Sequence, residues 1–216
     1  MNTDLVSYYR DRAKEYESIY EKPERQADLS EATNILQTIF RGENVLEIAC
    51  GTGYWTERLA PVTTSIFATD INETVIEIAS KKDYHDAVVR FAVDDLFRYK
   101  PMKKYDGVFG GFIWSHIPLQ ELDEFLQKVI SFVEPGGLVV FMDNNYVDGS
   151  NTAIFKTDQF GNTYQNRKLK DGSEHLVLKN FATEEFVRKA LNGLVSELNF
   201  CNMEYYWIVI CRVGIE

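Results

Sequence analysis

Hydrophobic and polar positions change their spacing along the chain. From Asn44 onward, short runs of β-branched and apolar residues alternate with longer stretches in which apolar residues recur at helical spacing. This alternation is typical of a parallel sheet that is covered by helices on both faces. The pattern predicts five successive strands, namely Val45–Ile48, Ile66–Thr69, Val88–Ala92, Tyr105–Phe109 and Leu138–Met142.

Helices are predicted between several of these strands, over Tyr54–Leu59, Glu73–Ser80 and Leu119–Val133. Pro135, followed by two glycines, should end the last of them, because proline cannot continue a helix and glycine favours a turn. After Asp143 the alternation breaks. Two polar-apolar runs there flank an Asp-Gly pair, which predicts a hairpin, and Thr183 is suited to cap a helix that ends near Leu191.

The two ends of the chain lie outside the alternating region. Tyr205–Arg212 is predicted as a long final strand, and a helix should run from about Ser30 to Phe40. Before it, one helical stripe is rich in tyrosine; its members are Leu5, Tyr8, Tyr9, Arg12, Tyr16, Ile19 and Tyr20. Two interpretations remain open for this stripe: a helix docked on the edge of the sheet, or a lid over a ligand.

Length and charge narrow the class of protein. A chain of 216 residues suits one well-buried domain, and a net charge of −10 should repel a nucleic-acid backbone. The polar start and the lack of any apolar run near 18 residues predict a cytoplasmic protein that crosses no membrane. The three cysteines are expected to be reduced thiols. For Cys50, packing and a reactive nucleophile both remain open.

The clearest chemical motif is a strand followed by a glycine-rich turn and a helix, between Val45 and Leu59. Gly51 and Gly53 let backbone approach a ligand where a Cβ would collide, and the helix offers free N–H groups to it. A nucleotide-like ligand at the end of the strand follows from this pattern. A plain turn between strand and helix is the alternative.

Acidic residues follow the same strands. Asp70 closes the second strand, where a carboxylate can accept hydrogen bonds from both ribose hydroxyls of a nucleoside, although it could equally cap the next helix. The dinucleotide fingerprint needs a third glycine where this chain has Thr56, which disfavours NAD and FAD. Glu47 and the Asp94-Asp95 pair give the site an acidic character that suits a cationic ligand better than a pyrophosphate.

With these residues in view, the chain resembles the class I S-adenosylmethionine-dependent methyltransferases. EIACGTG at residues 47–53 is similar to their first motif, ExGxGxG, with Ala49 in place of the first glycine. FAVDDL at 91–96 is similar to the motif that holds the adenine amine, and YDGVFGGFIWSHIP at 105–118 to the fourth strand and the loop where the methyl group is presented. EPGGLVVF at 134–141 is similar to the fifth strand with its preceding turn.

The resemblance implies one domain with a doubly wound, seven-stranded, mostly parallel Rossmann-like sheet whose last strand is antiparallel. The expected domain has four parts. These are N-terminal helices that could form a lid (1–40), a cofactor-binding core (44–143), a small β cap over the acceptor (146–180) and a C-terminal helix with strands (181–216). The implied cofactor is S-adenosylmethionine. Its expected contacts are Tyr16, Glu47, Ala49, Gly51, Gly53, Trp55, Asp70, Ile71, Asp94, Asp95, Leu96 and Gly111.

The acceptor side is less determined. His116 stands where many small-molecule members of the family have a polar residue facing the acceptor, and it could be a catalytic base, orient the substrate, or make a structural hydrogen bond. Trp114 is either core or a cation–π wall beside the sulfonium. Tyr164 and Arg167 fall in the expected cap, where Arg167 either pairs a substrate carboxylate or is a solvated hairpin residue.

A metal and a nucleobase acceptor are both disfavoured. Asp143-Asn144 matches one acidic pair of the metal-dependent catechol-type members, but the Asp that these need after the fourth strand is missing, so no metal is expected. Gly110 to Ile113 replaces the motif of nucleobase methyltransferases. We therefore expect methyl transfer to O, N or C of a small molecule. The alternatives are a nicotinamide-dependent oxidoreductase and a non-catalytic cofactor-binding module that serves a partner protein.

Overall fold

A computed structural model describes residues 3–101 and 103–215 of the protein, apart from the side chains of Thr3, Asp4 and Lys14. Its helices are α1 (Thr3–Arg12), α2 (Gln26–Ile39), α3 (Tyr54–Leu59), α4 (Glu73–Ala79), α5 (Leu122–Ile130) and α6 (Glu184–Leu191). Its strands are β1 (Asn44–Ile48), β2 (Ser65–Asp70), β3 (Val89–Val93), β4 (Tyr105–Gly111), β5 (Val133–Asn144), β6 (Lys156–Thr157), β7 (Thr163–Lys168), β8 (Glu174–Leu178), β9 (Glu197–Asn202) and β10 (Tyr206–Arg212).

The main sheet has seven strands in the order β3-β2-β1-β4-β5-β10-β9. Strands β1 to β5 pair in parallel, and β10 runs antiparallel to both β5 and β9. The strand order reverses between β1 and β4, so a crevice opens at the carboxyl ends of these two strands. The mostly parallel sheet with an antiparallel last strand confirms the predicted fold class.

Helices cover both faces of this sheet, which makes it doubly wound. One face packs against α2, α3 and α4, with Leu36 and Val45 fully buried there. The opposite face packs against α5 and α6, where Phe125 and Val187 are fully buried. Burial of each such side chain contributes roughly 1.5–3 kcal/mol, so the two layers hold the strand ends in fixed positions.

The small β cap is a second sheet in the order β6-β7-β8. Strands β7 and β8 pair antiparallel, with Arg167 opposite His175, and Gly172 takes a φ of +90° in the turn between them. This confirms the predicted hairpin. The cap on α6 is confirmed as well, because Oγ1 of Thr183 accepts a hydrogen bond from the amide of Phe186 at 3.2 Å.

The predicted helix over Leu119–Val133 is wrong at both ends. Residues Leu119–Glu121 form a 3-10 turn, the α-helix ends at Ile130, and Val133 already belongs to β5. The carbonyl of Phe132 accepts a hydrogen bond from the amide of Tyr105 at 2.9 Å, so the chain has joined the sheet two residues before Glu134. The Pro-Gly-Gly segment lies inside β5, where the pairing with β4 shifts register.

The N-terminal stripe is divided between two kinds of helix. After α1 the chain continues as a 3-10 helix over Ala13–Tyr20. Helix α2 begins at Gln26, four residues before the predicted start, because a 3-10 turn over Pro23–Arg25 leads directly into it. Strand β9, at the edge of the sheet, was not recognised as an individual strand from the sequence. Within the described residues, no helix is long and apolar enough to cross a membrane.

Candidate cofactor and acceptor site

An apolar cavity lies at the carboxyl ends of the central strands, where the sheet topology predicts a ligand. Its floor comes from the loops after β1, β2, β3 and β4, and its roof from α1 and the following 3-10 helix. The lining residues used below are Tyr9, Tyr16, Ala49, Gly51, Asp70, Ile71, Asn72, Asp94, Leu96, Gly111, Phe112 and His116.

The loop after β1 is shaped by left-handed backbone. Ala49 has a φ of +52° and Gly51 a φ of +56°. Glycine adopts this region freely, whereas alanine pays a steric cost of roughly 1–2 kcal/mol because its Cβ approaches the following carbonyl. A Cβ on Gly51 would meet only the Tyr16 ring, at 3.9 Å. Glycine at position 51 therefore suits the backbone conformation of the turn, and the loop after β1 presents no side chain larger than the methyl group of Ala49 to the cavity.

Asp70 connects the loop after β1 to the loop after β2. One carboxylate oxygen, Oδ2, accepts a hydrogen bond from the amide of Gly51 at 3.0 Å, and the other, Oδ1, accepts from the amide of Asn72 at 2.9 Å. Burial raises the pKa of Asp70 above its usual value, while the amides of Asn72, Gly51 and Ile71 oppose that rise. Each carboxylate oxygen can accept a further hydrogen bond, so the group is held in place and still able to bind hydroxyls.

Four of the expected cofactor contacts lie outside the lining of this cavity. The Glu47 carboxylate is buried and accepts a hydrogen bond from Oγ1 of Thr56 at 2.6 Å. Gly53 starts α3 with a φ of +80°, and a Cβ there would lie 2.6 Å from the Tyr84 hydroxyl. Trp55 packs beneath Gly111, and Asp95 accepts a hydrogen bond from the amide of Phe97. These residues support the loops of the cavity from behind.

His116 forms part of the cavity wall and is almost fully buried. Its Nδ1 lies 2.6 Å from the carbonyl oxygen of Leu178, and its Nε2 lies 2.7 Å from the Tyr9 hydroxyl. A carbonyl only accepts, so Nδ1 carries the proton and Nε2 accepts from Tyr9. Burial lowers the pKa of His116 well below its usual value, and the charges of Lys179 and Arg167 lower it further. The ring is therefore neutral at pH 7.

A second, more polar cavity continues from this wall, and we call it the basic cavity. Seven lysine and arginine side chains line it, together with one acid, Glu15. Tyr9, Tyr16, Phe112 and His116 line both cavities. Phe112 takes a φ of +61° at this junction, a strained conformation of the kind that clusters at functional sites.

Two guanidinium groups enter the basic cavity from different elements. Arg12, at the end of α1, donates to the Tyr8 hydroxyl at 3.0 Å, and its guanidinium carbon is 5.7 Å from the centre of the Tyr8 ring. Arg167, on β7, lies at the same distance from that ring and donates through its Nη2 to Oε1 of Gln165 at 2.7 Å. Tyr8 is thus enclosed by two cations, which are held near each other by an aromatic ring instead of a carboxylate.

Lys179 follows β8 and is buried at the base of the basic cavity. Its Nζ donates to Oδ1 of Asp143 at 2.8 Å and to Oγ of Ser115 at 2.6 Å. Oδ2 of Asp143 accepts from the amide of Ser115 at 2.9 Å. Asp143, the residue considered for a metal, is therefore engaged by a lysine. Within residues 3–101 and 103–215, no group of three metal-binding side chains is found.

Several known methyltransferases are similar to this chain. Residues 45–137 match the family described as the methyltransferase domain. The structure of DhpI in complex with SAH superimposes with a TM-score of 0.80 at 29% identity, covering 99% of this chain and 97% of that one. Residues 45–137, somewhat less than half of the chain, thus resemble a methyltransferase domain, and the comparisons support a class I S-adenosylmethionine-dependent methyltransferase. The complex of DhpI with SAM and HEP gives a TM-score of 0.79 at 27% identity, over 98% of this chain and 99% of that one.

Curated relatives are methyltransferases as well. Malonyl-[acyl-carrier protein] O-methyltransferase 2 of Ilyobacter polytropus is 33% identical over 100 residues, which cover 45% of this chain and 38% of that protein. This chain therefore spans about two fifths of that relative's length in the match. The ubiquinone/menaquinone biosynthesis C-methyltransferase UbiE of Wigglesworthia glossinidia brevipalpis is 28% identical over 182 residues, 76% of this chain and 68% of that protein.

The structure brings most of the expected methyltransferase contacts together. The apolar cavity is lined by Tyr16, Ala49, Gly51, Asp70, Ile71, Asp94, Leu96 and Gly111, all expected cofactor contacts, and by His116. An apolar cavity with carboxylates at its edge fits S-adenosylmethionine, the cofactor of the family.

On the acceptor side, only Arg167 of the three expected substrate contacts lines the basic cavity. Trp114 is buried in the core at right angles to Trp207, with ring centres 5.8 Å apart. The Tyr164 hydroxyl donates to Asp158 at 3.1 Å, on the far side of the cap hairpin. The sequence analysis did not identify Arg25 and Lys179 as site residues. The available signal was weak in both cases: a single basic residue directly before helix α2, and another directly after the apolar strand β8.

Proposed function

We propose that the protein transfers a methyl group from S-adenosylmethionine to a small molecule, with the cofactor in the apolar cavity and the acceptor in the basic cavity. The observation that carries this proposal is the wall shared by the two cavities. Tyr9, Tyr16, Phe112 and His116 line both, so a group bound in one cavity faces a group bound in the other. Methyl transfer needs this arrangement, because the acceptor must approach in line with the bond that breaks.

S-adenosylmethionine supplies a methyl group on a positively charged sulfur, and the protein's part is to bind and align. Asp70 is placed to accept hydrogen bonds from the ribose hydroxyls, and Asp94 and Leu96 line the part of the apolar cavity that would receive the adenine. The small side chain of Ala49 and the bare backbone of Gly51 leave room for the methionine part. Tyr9 and Tyr16 cover the junction and exclude water from it.

His116 orients rather than deprotonates the acceptor in this proposal. Both ring nitrogens already have partners, Leu178 on one side and Tyr9 on the other. A base at Nε2 would first have to give up the hydrogen bond from Tyr9, and the lowered pKa of His116 makes it a weak base. The ring and the Tyr9 hydroxyl instead form a fixed polar surface at the junction.

The names of the relatives support a small acceptor. They include an O-methyltransferase and a C-methyltransferase, and DhpI is seen in complex with SAM and HEP. The comparisons give no support to the nicotinamide alternative. The cytoplasmic location and the lack of nucleic-acid partners stay predictions from the sequence.

Calorimetry with S-adenosylhomocysteine, with NAD as the matched control, tests the cofactor part of the proposal. Binding of the first without the second is the expected result. Incubation with methyl-labelled cofactor and a panel of small acceptors then tests transfer, and the expected result is label in at least one acceptor. Binding of NAD alone would support an oxidoreductase. Tight binding of S-adenosylhomocysteine without transfer to any acceptor would support the non-catalytic module.

A further inference from the structure

The basic cavity is opposite in charge to the rest of the protein. The whole chain carries a net charge of −10, yet seven lysine and arginine side chains line this cavity against one acid. That acid, Glu15, already pairs with Lys170 at 3.2 Å. Positive charges gathered in a concave site with low-dielectric walls concentrate the field there and draw anions into it.

Among the described side chains, the three arginines of the cavity lack a carboxylate partner, as does the exposed Lys168. Among the described side chains, no carboxylate oxygen lies within 4.0 Å of the guanidinium nitrogens of Arg12, Arg25 or Arg167. Three of the four lysines that line the cavity do have such a partner, as Lys179 shows with its 2.8 Å pair to Asp143. The three arginines keep hydrogen-bonding capacity and charge for a ligand.

Arg25 is the clearest case, because it is only 6% exposed. Its guanidinium donates to the hydroxyl of Ser150 at 2.9 Å and lies 5.4 Å and 5.6 Å from the centres of the Tyr205 and Tyr206 rings. A hydroxyl and two ring faces do not neutralise a buried positive charge. The Ser150 hydroxyl in turn donates to Oε1 of Glu24 at 3.2 Å, so a carboxylate acts on Arg25 from a longer range without contacting it. An anion in direct contact with this buried charge would therefore be stabilised further.

The positive charge reaches the wall where the two cavities meet. After burial, the charges of Lys179, Arg167 and Arg12 all lower the pKa of His116, so all three lie close to that ring. The charge of Arg167 also opposes the rise that burial causes in the pKa of Tyr9. A sulfonium on the other side of this wall adds one more positive charge. An acceptor that carries negative charge would offset this repulsion, whereas an ammonium would increase it.

We propose that the acceptor is a small oxyanion, either a carboxylate or a phosphorus oxyanion, and that one of its oxygens receives the methyl group. This inference rests on the proposed function. Arg12, Arg25 and Arg167 hold the oxyanion. Guanidinium groups match the paired oxygens of carboxylates and phosphates, and an oxyanion with two or more oxygens can be held through some while another faces the methyl group.

The chemistry of this step fits the residues at the junction. An electron pair of the oxyanion forms the new O–C bond, the S–C bond breaks, and its electron pair stays on sulfur. The negative charge of the oxygen and the positive charge of the sulfonium cancel, and no proton is released. No base is required, in agreement with a His116 ring whose two nitrogens are both engaged. A hydroxyl or an ammonium acceptor would instead release a proton for every methyl group transferred.

The binding test uses protein saturated with S-adenosylhomocysteine and four small probes followed by ligand-observed NMR. The oxyanions are propionate and inorganic phosphate, and their controls are propionamide and propylammonium. We expect at least one oxyanion to bind, and both controls to bind at least about tenfold more weakly. The stronger of the two oxyanions identifies the class of acceptor. Binding of propylammonium or propionamide as strong as that of the oxyanions would overturn the inference.

Matched variants test whether the arginines of the basic cavity bind the oxyanion. Arg25→Gln and Arg167→Gln should each weaken binding of the oxyanion by about tenfold or more, since each removes a charged donor. Arg41→Gln, at an exposed arginine away from the lining, is the control and should leave it unchanged. Equal affinity in all three variants would contradict the inference. Unchanged affinity for S-adenosylhomocysteine shows that a variant is folded, and failure of the unaltered protein to bind it would instead contradict the proposed function.

A second measurement counts the protons released to solvent during methyl transfer. With a carboxylate acceptor, or with a phosphorus oxyanion at a pH above its last ionisation, a pH indicator in weak buffer should record no proton released per S-adenosylhomocysteine formed. One proton per turnover would overturn transfer to an oxyanion while leaving methyl transfer itself established.

Discussion

The Tyr9 hydroxyl donates a hydrogen bond to Nε2 of His116 across 2.7 Å, and the two rings meet edge to face with centres 5.3 Å apart. This contact joins α1 to the loop after β4, 107 residues later in the chain. Helix α1 thereby helps to form the wall between the two cavities. The contact also fixes the protonation of His116, since the ring can accept from Tyr9 only through an unprotonated Nε2.

The role of His116 can be tested by replacing it with asparagine. We expect turnover to fall about 10-fold to 100-fold while affinity for S-adenosylhomocysteine stays nearly unchanged, because the residue orients the acceptor and does not hold the cofactor. Because burial lowers the pKa of His116 well below 6.5, this residue should cause no inflection in kcat/KM of the unaltered enzyme between pH 6.5 and 8. Tyr9→Phe is the matched control for the loss of the hydrogen bond alone. A fall of about 10⁴-fold, together with loss of a pH inflection in the variant, would instead identify a base.

Asp70 should contribute most to cofactor binding among the acidic residues. Asp70→Ala is expected to weaken binding of S-adenosylhomocysteine by about 1.5–3 kcal/mol, the usual effect of losing hydrogen bonds to a charged group. Asp95→Ala serves as the control, because the structure turns that carboxylate away toward the amide of Phe97. Calorimetry on both variants checks this. A loss at Asp95 as large as that at Asp70 would mean that the two acids have been assigned the wrong roles.

Glu47 predicts an unusual dependence of stability on pH. Burial raises the pKa of Glu47 to about 8, from 4.5, with the hydrogen bond from Thr56 opposing the rise and the charge of Asp70 adding to it. Between these two values the folded protein keeps a proton that the unfolded chain has lost. The protonated Glu47 side chain therefore contributes most to the free energy of unfolding below about pH 4.5, and this contribution is lost as the pH rises to 8. The change is on the order of a few kcal/mol.

Glu47→Gln removes this titration while keeping an oxygen that accepts from Thr56. Urea unfolding should show a variant whose stability falls less between pH 5.5 and pH 8.5 than that of the unaltered protein, so that it is the more stable of the two at pH 8.5. Glu77→Gln, at an exposed position of α4, should leave the pH dependence unchanged. The assignment fails if Glu47→Gln and Glu77→Gln give the same pH profile.

The strands and the cofactor loops could be predicted from sequence because their signals are local. A buried parallel strand produces a short apolar run, and the end of such a strand places Asp70 beside the glycine turn whatever the rest of the chain does. The end of α5 was misplaced because a tertiary contact decides it. The carbonyl of Phe132 is taken by the amide of Tyr105, a residue 27 positions earlier.

The basic cavity could not be read from the sequence for the same reason. Arg12, Arg25 and Arg167 lie far apart in the chain, and only the packing of α1 and the cap brings them to one cavity. The sequence offered Arg167 as a possible partner of a substrate carboxylate, but Arg12 and Arg25 look like ordinary solvated arginines when each is considered alone. Trp114 is the reverse case. Core packing and a wall of the acceptor site were both open for it, and its side chain packs into the core against Trp207.

Helix α1 and the 3-10 helix after it cover both cavities, which bears on the lid hypothesis. Leu5 and Tyr9 line the apolar cavity, while Tyr8 packs with Leu5 against Leu169 and Val177 of the cap. This cover is one boundary that a cofactor entering the apolar cavity would meet. The lid hypothesis predicts that the segment opens before binding, and that closing it afterwards orders the site and excludes water.

Hydrogen exchange followed by mass spectrometry tests this motion. Amides of Thr3–Tyr20 should exchange quickly in the free protein and slow down when S-adenosylhomocysteine binds, because the bound ligand supplies contacts that favour the closed position. Those of α5, on the opposite face of the sheet, are the internal control and should not change. Deletion of the segment should reduce activity much more than the melting temperature. Slow exchange of equal rate with and without ligand would show that the segment is a fixed part of the core, and that the cofactor enters by another route.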